Sequence, residues 1–329
     1  MPTNQNSKKQ TVDKEVSTAP KKVQDDGTPS SSQSREKGSS PKANRPKNPR
    51  KSKPFEKSRP KHSPQEHEPR TRTTLELLKL KGKRTIVGLT AYDALLGRLV
   101  SDAGVDFILV GDSVGTTLLG HPTTIPVTIQ DMIHHTAAVR RANPDCLLVA
   151  DLPFGEASLS FDRLLESARS LMQQGGADAV KIEGGRDVAD DIEKLVLTGI
   201  PVLGHIGLLP QTVKAIGGYR KFGSEREEAE SLYTDAIALE EAGCFALVAE
   251  MVEASVASEL ARQILPPLIG IGSGDGCDGQ ILVTPDLLGL SNGSIPSFVK
   301  PKLNLNQEIS RALSEYVIDV KKRKKSPSS

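Results

Sequence analysis

Phe107-Ile108-Leu109-Val110-Gly111-Asp112-Ser113 is a short apolar run closed by a glycine, an acid and a hydroxyl residue. Such a run, bounded by turn residues, reads as a buried strand. The same plan recurs along the chain. Residues 147–150 end in Asp151, residues 179–182 contain Lys181 and end in Glu183, residues 201–203 end in Gly204-His205, and residues 246–249 end in Glu250. Runs at 85–90 and 268–271, with a weaker one at 280–283, bring the count to eight. Between them lie stretches with apolar spacing near 3.6, such as 161–174 and 225–242, and glycines at junctions such as Ala103-Gly104 and Gly175-Gly176. Glycine accepts the left-handed backbone that closes a helix. Strand and helix alternating about eight times predict a parallel α/β fold, and the count favours a (β/α)8 TIM barrel. No dinucleotide fingerprint follows the first strand, which disfavours a doubly wound sheet.

The chain has 329 residues with 43 Lys+Arg and 41 Asp+Glu, but the charges are unevenly placed. Residues 1–72 carry 18 basic and 8 acidic side chains, ten of the 22 prolines and a single aromatic, Phe55. That composition cannot bury enough apolar surface to offset its ordering entropy, so 1–72 reads as a disordered basic tail. Residues 73–318 read as the barrel and 319–329 as a second basic tail around Lys321-Lys322-Arg323-Lys324-Lys325. The early acids Asp13, Glu15, Asp25 and Asp26 do not suit a transit peptide. No secretory segment and no apolar run long enough to span a membrane occurs. Cys146, Cys244 and Cys277 are too widely spaced for a disulfide framework or a zinc site. A reducing, cytoplasmic setting is expected. The scarcity of aromatics argues against a stacking platform for nucleic acid.

In a parallel barrel the strand ends converge on the C-terminal mouth, where barrel active sites lie. Asp112, Asp151, Lys181, Glu183, His205 and Glu250 would share that rim. One acid after a strand is commonly a helix cap; repetition on successive strands points to chemistry. Three carboxylates without a nearby cysteine form a hard-oxygen set suited to Mg²⁺. A cation there would polarise the ketone of an α-keto acid, with Lys181 adding positive charge. Glu250, apart from the acidic cluster, suits a general base. His205 reads either as a satisfied core histidine or as a hydrogen-bond donor near the substrate. His134 and His135 fall on a helix, with at most one facing inward. The glycine-rich loop 270–276 reads either as a phosphate cradle or as a close backbone approach.

Several motifs resemble the ketopantoate hydroxymethyltransferase family. They include Leu89-Thr90-Ala91-Tyr92-Asp93, Val110-Gly111-Asp112-Ser113-Val114-Gly115, Ala150-Asp151-Leu152-Pro153-Phe154 and Val180-Lys181-Ile182-Glu183-Gly184-Gly185. Gly204-His205-Ile206-Gly207-Leu208 and Asp278-Gly279-Gln280-Ile281-Leu282-Val283 continue the match, which covers about residues 73–318. The resemblance implies a (β/α)8 barrel moving a one-carbon unit from 5,10-methylenetetrahydrofolate to 3-methyl-2-oxobutanoate, giving 2-dehydropantoate for pantothenate and coenzyme A. It implies Mg²⁺ on Asp112, Asp151 and Glu183, the keto acid held by Asp112, Ser113, Asp151 and Lys181, and Glu250 as proton acceptor. It also implies a homo-oligomer, often a decamer. The sequence departs from the family at Met251-Val252-Glu253, where Cys-Val-Pro is usual, and at Arg220-Lys221-Phe222-Gly223-Ser224. Related enolate-forming barrels of the phosphoenolpyruvate mutase and isocitrate lyase type carry a loop cysteine motif that this sequence lacks. A binding protein acting through its basic tail would leave the whole rim set without a purpose.

Overall fold

The computed structural model describes residues 70–291, 293 and 295–323. Residues 1–69 of the expected 1–72 tail and residues 324–329 of the expected C-terminal tail lie outside the described residues. Eight strands are present: β1 (Ile86–Thr90), β2 (Phe107–Val110), β3 (Leu147–Asp151), β4 (Ala179–Glu183), β5 (Val202–Gly207), β6 (Ala246–Glu250), β7 (Leu268–Ile271) and β8 (Gly279–Leu282). They pair in parallel, in chain order, and β8 pairs with β1 to close the barrel. The (β/α)8 expectation is borne out. The helices Phe161–Gln173 and Arg226–Glu241 occupy the two stretches with helical spacing.

Side chains alternate between the two faces of each strand. In β2, Phe107 and Leu109 join an inner cluster with Leu147, Val149, Leu203, Val248 and Ile281. Ile108 and Val110 face outward, into a larger cluster with Leu148, Val180, Leu247 and helix residues such as Leu171 and Leu239. Both faces are covered, which is why these strands read as continuous apolar runs.

The N-terminal end of the barrel is plugged. Thr73 and Glu76 form a reciprocal capping box at the helix Thr74–Leu78, and Leu77 enters the inner cluster. Burying one such leucine contributes roughly 1.5–3 kcal/mol. Lys81 Nζ donates to the carbonyls of Ile264 (2.7 Å) and Pro266 (2.9 Å) and lies 3.2 Å from Asp278. Beside the plug, buried Asp106 accepts from Thr71 Oγ1 (2.9 Å), the Val87 amide (2.9 Å) and Arg84 (2.6 and 2.8 Å). Packed chain therefore begins before residue 73. Toward the C-terminus of the sequence, the helix Leu305–Lys322 continues past residue 318 with no buried residue.

Candidate active site

The alternation that fills the barrel with apolar side chains also delivers polar ones to its mouth. Two residues beyond inward Val149 stands Asp151. Beyond Ala179 come Lys181 and then Glu183, beyond Leu203 comes His205, and beyond Val248 comes Glu250. Asp112 breaks the parity: after inward Leu109 the next inward position is Gly111, so Asp112 reaches the site from the turn. Gly111 leaves room there, since a Cβ would sit 2.8 Å from Ser113 Oγ. Strand register makes Asp151 the lateral neighbour of Lys181, and Glu183 that of His205.

Asp112, Asp151 and Glu183 each offer an oxygen, and these atoms lie within 4.8 Å of one another. Lys181 Nζ donates to Asp151 Oδ1 (2.8 Å) and Oδ2 (2.9 Å) and to Glu183 Oε1 (3.3 Å). Burial, then the charges of Asp151 and Glu183, push the Asp112 carboxyl well above its ordinary range. Burial raises Asp151 too, against the pull of Lys181. Burial opposes the Glu183 anion, but Lys181 and His205 outweigh it and hold its pKa down. Burial likewise opposes the Lys181 ammonium, and Asp151, Glu183 and Asp112 outweigh it. One ammonium does not balance three clustered carboxylates, which adds to burial in pushing Asp112 and Asp151 both up. The donor set, all carboxylate oxygen and short of positive charge, fits a hard divalent cation.

Glu250 stands apart from the three carboxylates, as expected from strand order. His205 lies between: its Nδ1 is 3.5 Å from Glu183 Oε1 and its Nε2 is 3.4 Å from Glu250 Oε2. Neither contact has the geometry of a well-formed hydrogen bond, so the ring sits between two carboxylates, held only loosely by each. Burial, then Lys181, lowers its pKa and favours the neutral ring. Burial, then Glu183, pushes Glu250 up to about 8. A carboxylate poised near neutrality is matched to taking a carbon-bound proton.

The backbone around Glu250 is held tightly. Its carbonyl accepts from the Leu208 amide at 2.8 Å, and the Met251 amide donates to Ile271 at 2.9 Å. Ser273 Oγ donates to the Ala249 carbonyl (2.8 Å) and accepts from the Val252 amide (2.9 Å). Met251 has φ 50°, a left-handed conformation unusual for a side chain of its size. The two departures from the family pattern meet here. Phe222 and Val252 form a parallel bridge, and Lys221 Nζ lies 3.5 Å from Glu253. The glycine loop does approach closely: a Cβ at Gly272 would lie 2.8 Å from Met251 Sδ and 2.9 Å from the Phe298 ring.

Two cavities share this mouth. An inner one of about 100 Å³ is lined by Asp112, Ser113, Asp151, Lys181, Glu183, His205 and Glu250. An outer one of about 530 Å³ is lined by Tyr219, Met251, Asp286 and Phe298 among others, and again by Ser113 and Glu250. All seven expected site residues therefore come together. His134 and His135 do not join them: His135 Nδ1 lies 2.7 Å from the Tyr92 carbonyl, and His134 is exposed.

Three contributors were missed in the sequence. Gln211 donates from Nε2 to Asp112 Oδ2 (3.0 Å) and the Leu152 carbonyl (2.9 Å), and from its backbone amide to Glu183 Oε2 (3.1 Å). Its amide orientation is set by chemistry, since both Nε2 partners are acceptors. Tyr92 pairs its hydroxyl with Ser113 Oγ at 2.9 Å. Thr124 is buried and lines both cavities. None of the three ends a strand, and only Tyr92 lies in a motif that carried the family resemblance.

Comparison with known proteins bears on the family of the chain. A family model described as "Ketopantoate hydroxymethyltransferase" matches residues 71–327. The chain is 48% identical over 251 residues to the 3-methyl-2-oxobutanoate hydroxymethyltransferase of Halalkalibacterium halodurans, covering 76% of this chain and 90% of that protein. It is 49% identical over 254 residues to the enzyme of the same name from Trichodesmium erythraeum, covering 77% and 96%. Among solved structures it resembles a phosphoenolpyruvate phosphomutase from Streptomyces platensis subsp. rosaceus, with TM-score 0.53, 14% identity and coverage of 75% and 87%. A 2,3-dimethylmalate lyase gives TM-score 0.50, 16% identity and coverage of 78% and 86%. At such low identity these two speak to the fold alone. The matched length, the identity and the assembled strand-end set together place this chain in the ketopantoate hydroxymethyltransferase family, as a transferase.

Proposed function

We propose that the protein is a 3-methyl-2-oxobutanoate hydroxymethyltransferase. It transfers a one-carbon unit from 5,10-methylenetetrahydrofolate to 3-methyl-2-oxobutanoate and yields 2-dehydropantoate, a precursor of pantothenate and coenzyme A. The observation that carries the proposal is Glu250, raised to about 8 and set across His205 from three clustered carboxylates. Asp112, Asp151 and Glu183 would hold Mg²⁺, which would polarise the substrate ketone and favour negative charge on its oxygen. Asp112, Ser113, Asp151 and Lys181 border the keto acid in the inner cavity. Lys181 has its donors turned toward Asp151 and Glu183, so it acts by its charge and by fixing those carboxylates. Glu250 takes the single proton from the branched carbon. That carbon then bonds to the methylene carbon offered from the outer cavity as one of its C–N bonds to the folate breaks, and water replaces the second nitrogen, supplying the hydroxyl and releasing tetrahydrofolate. His205 keeps the base and the acidic cluster apart.

We also propose a homo-oligomer in the cytoplasm. Supporting assembly, the helix Leu305–Lys322 exposes Ile309, Leu313, Tyr316, Val317 and Val320. Supporting a reducing compartment, Cys146, Cys244 and Cys277 are all free thiols. No helix among the described residues is long and apolar enough to cross a membrane.

Turnover with 3-methyl-2-oxobutanoate, methylenetetrahydrofolate and Mg²⁺, with and without chelator, tests the assignment. Formation of 2-dehydropantoate that stops on chelation is expected. No product with Mg²⁺ present would sink it.

A further inference from the structure

A 2-oxo acid anion brings only acceptors into the inner cavity: two carboxylate oxygens and a keto oxygen. It needs hydrogen-bond donors from the protein. The ammonium of Lys181 has three N–H groups, and its contacts already run to Asp151 (2.8 and 2.9 Å) and Glu183 (3.3 Å). Three hydroxyls line the cavity: Thr90, Ser113 and Thr124. Thr90 Oγ1 accepts from the Thr284 amide at 3.1 Å, and Ser113 Oγ pairs with the Tyr92 hydroxyl at 2.9 Å. Thr124 Oγ1 is buried and has no hydrogen-bond partner; the whole residue is only 4% exposed.

A buried hydroxyl without a partner is disfavoured, and native structures rarely keep one without reason. Here the reason lies in position. Thr124 borders both the inner and the outer cavity, a property it shares with Ser113, Pro210, Glu250 and Val283. The residue therefore stands beside the place where the acid and the one-carbon donor must meet. Its own segment is anchored independently of the hydroxyl, since the Thr124 carbonyl accepts from the Val127 amide at 3.0 Å. The hydroxyl is thus free to serve a ligand without unmaking the turn.

Taking the 2-oxo acid assignment above as its basis, we propose that Thr124 is a substrate-binding residue whose Oγ1 donates a hydrogen bond to the carboxylate of the bound acid.

Direct binding of 3-methyl-2-oxobutanoate by isothermal titration calorimetry, with Mg²⁺ and without folate, tests this on the full chain. Thr124→Val keeps the shape and removes the hydroxyl. Its Kd for the acid is expected to rise about tenfold or more, the effect of losing a hydrogen bond to a charged group. Its melting temperature should stay at or above the wild-type value, because no intramolecular hydrogen bond is lost. Thr124→Ser keeps the donor and should restore binding to within about threefold of wild type. A folded Thr124→Val protein with unchanged Kd would overturn the proposal. So would a Thr124→Val protein that melts markedly lower, since the hydroxyl would then be structural. Wild-type protein that binds no 2-oxo acid would overturn both this and the assignment beneath it, whereas normal wild-type binding with an indifferent variant overturns this alone.

Discussion

Lys181 Nζ lies 2.8 Å from one Asp151 oxygen and 2.9 Å from the other, and the two side chains are 5% and 2% exposed. Among the described residues, the ammonium is the one positive charge set between the carboxylates of Asp112, Asp151 and Glu183. Lys181→Met should destabilise the protein by about 3–5 kcal/mol, the range for breaking a buried pair. Added Mg²⁺ should recover part of that loss in the variant. Urea denaturation at pH 7, with and without Mg²⁺, checks this; a variant as stable as wild type without metal would contradict the assigned role.

Glu250→Gln keeps the size and removes the base. Binding of Mg²⁺ and of the keto acid should stay within about threefold of wild type, while proton exchange at the branched carbon stops. Deuterium exchange followed by NMR reads this directly. Exchange at the wild-type rate would show that another group is the base.

The same residue sets a pH dependence. A base works in its ionised form, and Glu250 is raised to about 8 by burial and then Glu183. kcat/KM should therefore rise with pH and level off once Glu250 is ionised. A cation on the nearby carboxylates lowers that pKa, so the inflection should lie at or below about 8 with Mg²⁺ bound. A rate that falls as pH rises from 6 to 8 would exclude an ionised Glu250 as base.

Gln211 holds Asp112 and Glu183 from behind, at 3.0 and 3.1 Å. Gln211→Ala removes the side-chain donor and leaves the backbone one. Outer-sphere changes of this kind weaken metal binding by about 10–100-fold, and titration calorimetry with Mg²⁺ should show a loss in that range. Unaltered affinity would mean that Asp112 needs no such support.

Asp106 lies at the opposite end of the barrel from the chemistry. Burial opposes its charge, but Arg84, Val87 and Thr71 outweigh that and keep its pKa below the ordinary 3.8. A lowered folded-state pKa contributes stability that is present above 3.8 and lost as pH falls through the folded value. Asp106→Asn should cost roughly 1–3 kcal/mol at pH 7 and flatten the stability profile below pH 4, with kcat unchanged. Equal acid sensitivity in the two proteins would argue against it.

Much of this site was legible in one dimension. A strand buried on both faces must be apolar along its length, so a charged residue at its end stands out. The stretch from Phe107 to Ser113 shows an acid just past the apolar run, and so do the ends of β3, β4 and β6. Gln211, Tyr92 and Thr124 carried no such mark, because their positions relative to the site depend on how loops fold back over the mouth. The edges of the folded unit were also hidden. Thr71 looks like part of a polar tail until its hydroxyl is seen on Asp106, at 2.9 Å.

What the sequence determined by itself is which residues stand at the ends of which strands. That follows from local periodicity and from the burial that a parallel barrel imposes. What only the tertiary structure decided is who faces whom. Register sets Lys181 beside Asp151 and Glu183 beside His205, while β6 is offset so that Glu250 pairs with Gly207. That pairing works because Gly207 has φ 91° and no Cβ; one would lie 2.3 Å from the Glu250 carbonyl oxygen. His205 thus comes to stand between base and acidic cluster. Such relationships join residues far apart in the chain, and hydrogen-bond register and packing across the closed sheet settle them.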